Sequence, residues 1–330
     1  MAGFVKQSRR GFVLVLAATL ACGLDRAFAQ ARRPWKVGFL MPNSTDPHFW
    51  NGLKAELAKL GYVEGHGIAF VEASAEGNFA RFPALAAELV AARVDLIVAA
   101  ATPAVSAAKK ATSTIPIVIA TAGDPVASGM VASFARPGGN ITGMSNMAGE
   151  VDVKMFELAK ATLPKLSRVA VLRNPANPRP GSAALRASDA AARTGVAVRD
   201  LKAASAQEVE AVLGALVRER ADALIIISDP FLVSQRDKIG AFGLAQRIPV
   251  FAPMRDFVQA GALMSYGADF AANFRRAAHF VDRILKGAKP AELPIEQATT
   301  FELVVNKKTA AALGLAIPTQ VMLQATEMIE

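Results

Sequence analysis

From residue 35 onward, short runs of β-branched and apolar residues alternate with longer segments of helical periodicity. This alternation is typical of parallel sheets covered by helices, because parallel neighbours need a crossover connection. One series of runs ends with ITGMS at 141–145, and a second begins with RVAVLRN at 168–174, after a linking helix. At 330 residues and 52% hydrophobic content, the chain supplies a core for each series. The sequence therefore predicts an α/β fold with two similar parallel-sheet domains.

The segments between the strands predict helices over 49–60, 82–92, 103–111, 125–135, 182–194, 207–219, 231–246, 270–287 and 307–314. The C-terminal tail, from residue 270 onward, does not fit two domains that simply follow one another along the chain. Its first helix has one apolar face, made by Phe274, Ala277, Ala278, Val281, Ile284 and Leu285. An extended stretch, ATTFELVVN, precedes its last helix. A chain that crosses between the domains more than once, so that the tail completes both, would explain this order.

The N-terminus has the features of an export signal. Basic residues precede an apolar run at 11–24 that is too short to span a membrane comfortably, and small residues at 27–29 suit cleavage. We interpret 1–29 as a signal peptide and expect a periplasmic protein. The stretch SRRGFVL resembles a twin-arginine signal, and general (Sec) export is equally consistent. A lipid anchor on Cys22 is disfavoured, because Thr19 stands where a lipobox usually has Leu.

Charge and cysteine content exclude several classes of protein. The formal net charge is +9, but the lysines and arginines are scattered and only two Tyr and two Trp could interleave with them, so no nucleic-acid surface is expected. The one cysteine would leave with the signal, so the mature chain has no disulfide and no thiol ligand. Its basic residues are best interpreted as a solvated surface.

A repeated pattern follows three predicted strands: Thr102-Pro103, Asp124-Pro125 and Asp229-Pro230. Each pairs a capping residue with a proline at the first helical position. Each cap has a purely structural explanation, yet ligands of open α/β sheets bind beyond the carboxyl ends of the strands, where these caps lie. The neutral Thr102 leaves its helix start open to a carboxylate. The two aspartates suit an ammonium or hydroxyl group.

Other polar or aromatic residues at the predicted strand ends are candidates for the same cleft, and each could equally be an ordinary loop residue: Asn43, Ser44, Thr121, Ser145, Asn146, Asn174 and Tyr266. In the first helix, helical spacing favours Phe49 as a core residue. Trp50 lies off that stripe and either flanks a ligand ring or rests on the surface.

Catalytic motifs are missing from the sequence. The three histidines, His48, His66 and His279, form no metal-binding pattern, and neither a nucleophile elbow nor a Walker loop occurs. The glycine-rich stretch 133–146 is a turn, because no lysine follows its glycines and it leads into a strand. We expect a binding protein without catalytic residues, cofactor or metal.

Several separated stretches resemble one family. They are LGYVEGHGIAF, ATPAVSAAKKATSTIPIVIATAGDPVASGMVASFARPGGNITGMS, GALMSYGADF and AAHFVDRILKGAKPAELPIEQATTFELVVNKKTAAALGL. The chain resembles ABC-transporter substrate-binding proteins of the group with tryptophan- and tyrosine-binding members. The resemblance implies a two-lobe periplasmic binding protein fold, type I-like, with three interlobe crossovers. It implies one lobe of 35–145 plus 268–295 and another of 146–267 plus 296–330.

The resemblance also implies a function and a site. Ala101 and Thr102 would hold a ligand carboxylate, with Thr121, Asp124, Ser145 and Asn146 on the same side. Across the cleft, the resemblance puts Asp229 and Asn174. Aromatic-amino-acid binders of this group often have Asp at the position of Asn146, so the ammonium of an amino acid lacks one partner here.

The expected protein is a monomer that delivers a small organic ligand to an ABC permease in the inner membrane. A ligand sensor of the same fold, which would present its bound state to a membrane receptor, is the main alternative. A hydrolase with an unrecognised triad is a weaker one.

Overall fold

Two seven-stranded sheets organise the computed structural model of the protein, which describes residues 33–43, 48–177 and 194–330. The predicted signal peptide, Ser44 and nearly all of the predicted helix 182–194 lie outside the described residues. Among the helices that are described, none has both the length and the apolar character needed to cross a membrane.

The strands, in chain order, are β1 Trp35–Met41, β2 Val63–Glu64, β3 Gly67–Ser74, β4 Leu96–Ala100, β5 Ile117–Thr121, β6 Ile141–Ser145, β7 Arg168–Arg173, β8 Ala197–Lys202, β9 Ala223–Ile226, β10 Val250–Ala252, β11 Met264–Ala268, β12 Glu296–Gln297, β13 Phe301–Asn306 and β14 Glu327–Ile329. The first sheet has the order β12-β6-β5-β4-β1-β3-β2, and the second β14-β13-β11-β10-β9-β7-β8. Neighbouring strands are parallel except for the antiparallel pair β11 and β13. The predicted α/β class is confirmed.

The described helices are α1 His48–Lys59, α2 Phe82–Ala91, α3 Thr102–Ala111, α4 Ala148–Thr162, α5 Ala206–Glu219, α6 Pro230–Ser234, α7 Arg236–Gln246, α8 Arg255–Gln259, α9 Phe270–Leu285, α10 Lys307–Leu313 and α11 Thr319–Met322. We call each sheet, with the helices packed on it, a lobe. Both faces of each sheet are covered, and so the central strands β4 and β9 consist of buried residues throughout.

The chain passes between the sheets three times within the described residues. It leaves the first sheet after β6, returns between β11 and β12, and leaves again before β13. Backbone hydrogen bonds tie the crossing segments together: the N–H of Ala298 donates to the carbonyl of Ser145 at 2.8 Å, and the N–H of Asp269 to that of Thr300 at 3.0 Å. The three predicted crossovers are therefore present.

The tail completes both lobes, as its sequence suggests. The predicted apolar face of α9 is buried and packs into the core of the first lobe beside α1. Strand β12 then extends the first sheet beside β6, and β13 joins the second. The exact division at 267/268 and 295/296 stays a prediction, with β12 pairing in the first sheet although it follows the second of these positions.

Residues 125–135 form turns, so the predicted helix there is wrong. The Asp124 carboxylate accepts hydrogen bonds from the backbone N–H groups of Val126 at 3.0 Å and Ala127 at 2.9 Å. Gly129, at φ +66°, then reverses the chain. A side-chain acceptor that satisfies two successive N–H groups completes one turn, and the left-handed glycine prevents a second.

Two other local predictions also need correction. The helix predicted over 231–246 is two helices, α6 and α7, that meet at Gln235. In α1 the buried side chains are Trp50, Leu53 and Leu57, so Trp50 is the core residue and Phe49 lies half-buried beside the cleft. Trp50 is drawn inward because its ring packs on Phe39, with centroids 4.6 Å apart.

Candidate ligand-binding cavity

A cavity of about 140 Å³ lies between the two lobes, at the carboxyl ends of the strands. The first lobe contributes the residues after β1, β4 and β5, and the second contributes those after β9. An apolar protein cavity of about 150 Å³ holds a benzene molecule. The space therefore suits one small organic molecule that contacts both lobes.

Seven of the predicted site residues line this cavity: Asn43, Trp50, Ala101, Thr102, Thr121, Asn146 and Asp229. Four others do not: Asp124, Ser145, Asn174 and Tyr266. The twelfth, Ser44, lies outside the described residues.

The backbone at Ala101 is strained. Its φ of +75° and ψ of 147° lie in a region that is almost restricted to glycine. The register of β4 against β5 shifts just before it, between Ala99 and Ala100, and the N–H of Ala101 donates to the carbonyl of Thr121 at 2.7 Å. Helix α3 begins directly afterwards, and no side chain caps its start. The positive end of the helix dipole thus faces the cavity without a side-chain acceptor.

Thr102 is the first residue of α3 and not its cap, contrary to the sequence-based interpretation. Its hydroxyl oxygen accepts a hydrogen bond from the N–H of Gly123 at 3.3 Å, while the Ser145 hydroxyl donates to the carbonyl of Gly123 at 2.6 Å. Both side chains are buried. Ser145 therefore lies behind the cavity and fixes the segment after β5, which forms part of the wall.

Asp229 is buried at the wall of the second lobe and starts α6. It accepts hydrogen bonds from the amides of Asn174 at 3.2 Å and Asn177 at 2.9 Å, and from the N–H of Leu232 at 3.1 Å. Burial raises the pKa of Asp229, and these hydrogen bonds act in the opposite direction. Asn174, which lies behind the wall, positions this carboxylate.

Two amide oxygens at the cavity have no hydrogen-bond partner: Oδ1 of Asn146 and Oδ1 of Asn177. Each is buried. The amide nitrogen of Asn146 donates to Oγ1 of Thr121 at 3.3 Å, and that of Asn177 to Asp229. A buried acceptor without a donor costs free energy, so these oxygens mark positions that a ligand donor would satisfy.

Aromatic rings form the apolar wall. Phe274 packs edge-on against Trp50, with centroids 4.9 Å apart, and stacks on Phe49 at 5.4 Å. Phe270 approaches Phe49 edge-on at 6.2 Å. Phe270 and Phe274 come from α9, more than two hundred residues after Phe49. Such a wall suits an aromatic or other apolar ligand surface.

A second groove of about 440 Å³ adjoins the cavity and shares Phe49, Met254 and Phe270 with it. Its other residues are largely polar, and they include Glu302. Burial and the charge of Asp269 raise the pKa of Glu302. The aromatic wall thus separates an apolar cavity from a polar groove.

Two sequence candidates lie away from the cavity for clear physical reasons. Asp124 completes the turn described above, and its carboxylate faces backbone N–H groups. Tyr266 is half-buried and stacks on Phe301, with centroids 5.8 Å apart and an interplanar angle of 8°. Burial and the charges of Glu150 and Glu157 raise the pKa of its phenol.

The wall also contains residues that sequence reasoning missed, notably Asn177, Met254, Phe270 and Phe274. The predicted face of α9 includes Phe274, but helical periodicity alone does not reveal which end of that face borders a cavity. Asn177 follows Asn174 by three residues, and only the fold shows that both amides reach one carboxylate.

Within the part of the chain that the structure describes, no group of three or more His, Cys, Asp or Glu side chains could hold a metal ion. The cavity wall there consists of aromatic rings, small residues, amides, hydroxyls and one carboxylate. These groups bind and orient a ligand.

Comparison with known proteins agrees with this geometry. Residues 42–329 match the family model described as ABC transporter substrate binding protein. The chain is 28% identical over 264 residues to a tyrosine-binding protein of Clostridioides difficile, an alignment that covers 80% of this chain and 76% of that one.

Solved structures are also similar. A conserved domain protein from Vibrio cholerae has 29% identity and a TM-score of 0.84, covering 90% of this chain and 100% of that one. An ABC domain in complex with L-Trp from Streptococcus pneumonia has 26% identity, a TM-score of 0.82 and the same coverage. A ligand-free, open substrate binding protein from Clostridium difficile has 25% identity and a TM-score of 0.65, with 90% and 99% covered.

Proposed function

Because this chain belongs to the ABC transporter substrate-binding protein family, we propose that it is the exported solute-binding component of an ABC importer. It closes two lobes over a small organic ligand and presents the closed form to a membrane permease. The observation that carries the proposal is the cavity whose wall is shared between the lobes. A ligand that contacts both walls stabilises the closed arrangement over the open one.

The cavity supports a ligand with a ring and a carboxylate: an aromatic acid, an amino acid or a related compound. The uncapped start of α3 at Thr102 offers backbone N–H groups and a positive dipole end to the carboxylate. The ring packs against the wall that Phe49, Trp50 and Phe274 form together. Relatives agree with this class, since one is named a tyrosine-binding protein and another was solved with L-Trp.

The proposal extends to where the protein acts. The mature chain is a periplasmic monomer, exported through the segment 1–29, and its partner is the permease of an ABC importer. It needs no cofactor and performs no reaction on its ligand. The ligand-binding residues are those that line the cavity, with Ser145 and Asn174 holding the wall from behind.

The test is to identify the ligand. The mature protein is purified under mild conditions, bound compounds are released and identified by mass spectrometry, and candidates are rebound in a thermal-shift titration. A true ligand raises the melting temperature by mass action. We expect an unmodified aromatic carboxylate. A chemically altered product released from the protein would favour a hydrolase, and no stabilisation by any aromatic acid or amino acid would overturn the proposal.

The partner needs its own test. Vesicles that contain a candidate ABC permease with its ATPase are expected to take up the ligand only when the liganded protein is present. Binding to a sensor kinase with no effect on uptake would instead favour a receptor role.

A further inference from the structure

Three side chains separate the cavity from the groove beside it. Among the described residues, only Phe49, Met254 and Phe270 line both spaces. On one side of them the cavity measures about 140 Å³, and on the other side the groove measures about 440 Å³. We call these three side chains the partition. Its position decides how long a ligand the cavity can hold.

The partition is built from both lobes. Phe49 of α1 and Phe270 of α9 belong to the first lobe, and their rings meet edge-on with centroids 6.2 Å apart. Phe49 also stacks on Phe274, so ring contacts hold this half in place. Met254 comes from the second lobe, directly before α8, and is half-buried. The partition is therefore complete only when the two lobes lie together.

The proposed carboxylate position lies away from the partition. The described residues that follow β4 and β5, among them Thr102 and Gly123, line the cavity and not the groove. A ligand whose carboxylate meets the start of α3 at Thr102 thus has its ring between that helix start and the partition. Any group in line beyond the ring meets the partition itself.

The volume of the cavity matches one ring. A cavity of about 150 Å³ in another protein binds one benzene molecule, and this cavity measures about 140 Å³. A second ring in line with the first needs the space that the partition occupies. Overfilling a packed space forces side chains out of their preferred rotamers, so such a ligand is disfavoured while the partition is closed.

The chemistry differs on the two sides of the partition. Among the described residues that line the cavity, Asp229 is the one ionisable side chain. The groove is lined by six: His48, Arg236, Arg255, Asp256, Asp269 and Glu302. An apolar ring in the groove would remove water from these groups without replacing the hydrogen bonds of that water. Both space and polarity therefore confine the ring to the cavity.

We propose that the partition limits the ligand to a single six-membered ring, and that Met254 is the residue of the second lobe that sets this limit. This inference rests on the proposed function. A longer ligand keeps Met254 apart from Phe49 and Phe270, and so it favours the open arrangement of the lobes over the closed one. The ligand class narrows to carboxylates with one ring, and compounds with two rings are excluded.

Two carboxylates of different length test the limit by isothermal titration with the mature protein. Benzoate has one ring, and 4-(4-hydroxyphenyl)benzoate adds a second ring in line, with a phenol that suits the polar groove. Benzoate should bind at least about tenfold more tightly, since a closed pocket distinguishes even small additions by about that factor. Equal or tighter binding of the longer compound would overturn the inference and leave the proposed function standing. If neither compound binds, and phenylacetate as a second one-ring acid does not bind either, both are overturned.

Met254→Ala should remove the limit. Loss of this side chain opens the cavity into the groove, so 4-(4-hydroxyphenyl)benzoate should gain at least about tenfold in affinity relative to benzoate. Met254→Leu keeps a similar volume and should retain the wild-type preference. Met322→Ala is the matched control, because Met322 is half-buried on α11 and lines neither space. A Met254→Ala protein that folds normally but still rejects the longer compound would contradict the inference, and so would a Met254→Leu protein that accepts it.

Phe270→Ala opens the same partition from the first lobe, and it also covers the case in which Met254→Ala does not fold. Phe270 is half-buried at the start of α9, and its removal should likewise let the longer compound bind. The same change of preference from two different lobes would follow from a shared partition and not from a local disturbance. A folded Phe270→Ala protein with the wild-type preference would overturn the proposal.

Discussion

Ala101 occupies a backbone conformation that L-residues disfavour, at the point where β4 turns into α3. Such strain costs about 1–3 kcal/mol and persists only where the surrounding structure maintains it. Here the N–H of Ala101 is held by the carbonyl of Thr121, and α3 fixes the other side. This backbone conformation of Ala101 turns the start of α3 toward the cavity.

The first prediction follows from that strain. Ala101→Gly should raise the free energy of unfolding by about 1 kcal/mol, because relief of strain exceeds the backbone entropy that glycine adds to the unfolded chain. Thermal or denaturant unfolding of the mature protein measures it. Ala107→Gly, inside the same helix, is the control and should destabilise by about 1 kcal/mol. If Ala101→Gly and Ala107→Gly lowered the free energy of unfolding equally, Ala101 would not be strained.

A second prediction concerns the buried Asp229 carboxylate, which accepts three hydrogen bonds. Asp229→Asn turns an amide N–H₂ toward groups that donate, so at least one buried donor loses its acceptor. We expect a loss of about 2 kcal/mol in unfolding free energy and weaker ligand binding, since Asn177 loses its orientation.

The matched control for Asp229→Asn is Asp269→Asn. Asp269 caps α9 by accepting from the N–H of Ala272 at 2.8 Å, a role that asparagine performs equally well. The free energy of unfolding of the Asp269→Asn protein should differ from that of the wild type by less than about 0.5 kcal/mol. Equal effects of the two substitutions would show that Asp229 is only a helix cap.

Among the elements, those with strong periodicity could be predicted from the sequence. Helix α9 buries the apolar face that its spacing indicates, and β6 begins and ends where predicted. The predicted helix over 125–135 is wrong, because Gly129 adopts φ +66° and reverses the chain after one turn. One left-handed residue is enough to end a helix, and the spacing of apolar residues does not report it.

The candidate site, like the fold, could be predicted from the sequence only where a local pattern marks it. Strand ends and caps indicated which edge holds the cavity, and seven of the predicted residues do line it. The contributions of α9 and Asn177 depend on how the tail folds back and how two amides share one carboxylate. These are tertiary contacts between distant segments, which no local pattern contains.

At the scale of elements, one ion pair holds the returning tail. Arg276 of α9 donates two hydrogen bonds to Glu296 of β12, at 2.6 and 2.7 Å. These hydrogen bonds lower the pKa of the Glu296 carboxyl. A lowered pKa contributes stability above the unfolded value of about 4.3, and that stability is lost as the pH falls through the folded value.

The third prediction is therefore a pH dependence. Glu296→Gln should melt below the wild type at pH 7, and the difference should shrink once the pH falls below the unfolded value of about 4.3 and through the lowered pKa of Glu296. Melting temperatures measured from pH 7 to pH 3 test it. Glu64→Gln, at an exposed position of β2, is the control and should change the curve little. A difference that stays constant with pH would rule out the pair as its source.

At the scale of the whole molecule, the wall of the cavity is shared between the two lobes, so a ligand that fills it contacts both.

The fourth prediction is a change in size. In solution, the ligand-free protein should have a larger radius of gyration than the liganded protein, because the lobes open when nothing bridges them. Small-angle scattering with and without ligand measures it. A compound that leaves the melting temperature unchanged serves as the control. Equal radii in both states would contradict closure by the ligand.

The three crossings have a further consequence for how the molecule withstands proteolysis. A protease that cuts between β6 and α4 leaves a C-terminal piece that still carries α9 and β12, both embedded in the first lobe. The nicked protein should therefore migrate as one particle in gel filtration and separate into two fragments only in denaturant. For the same reason, neither lobe corresponds to one continuous segment of the chain that could be expressed alone. Each lobe needs segments from both sides of the crossings.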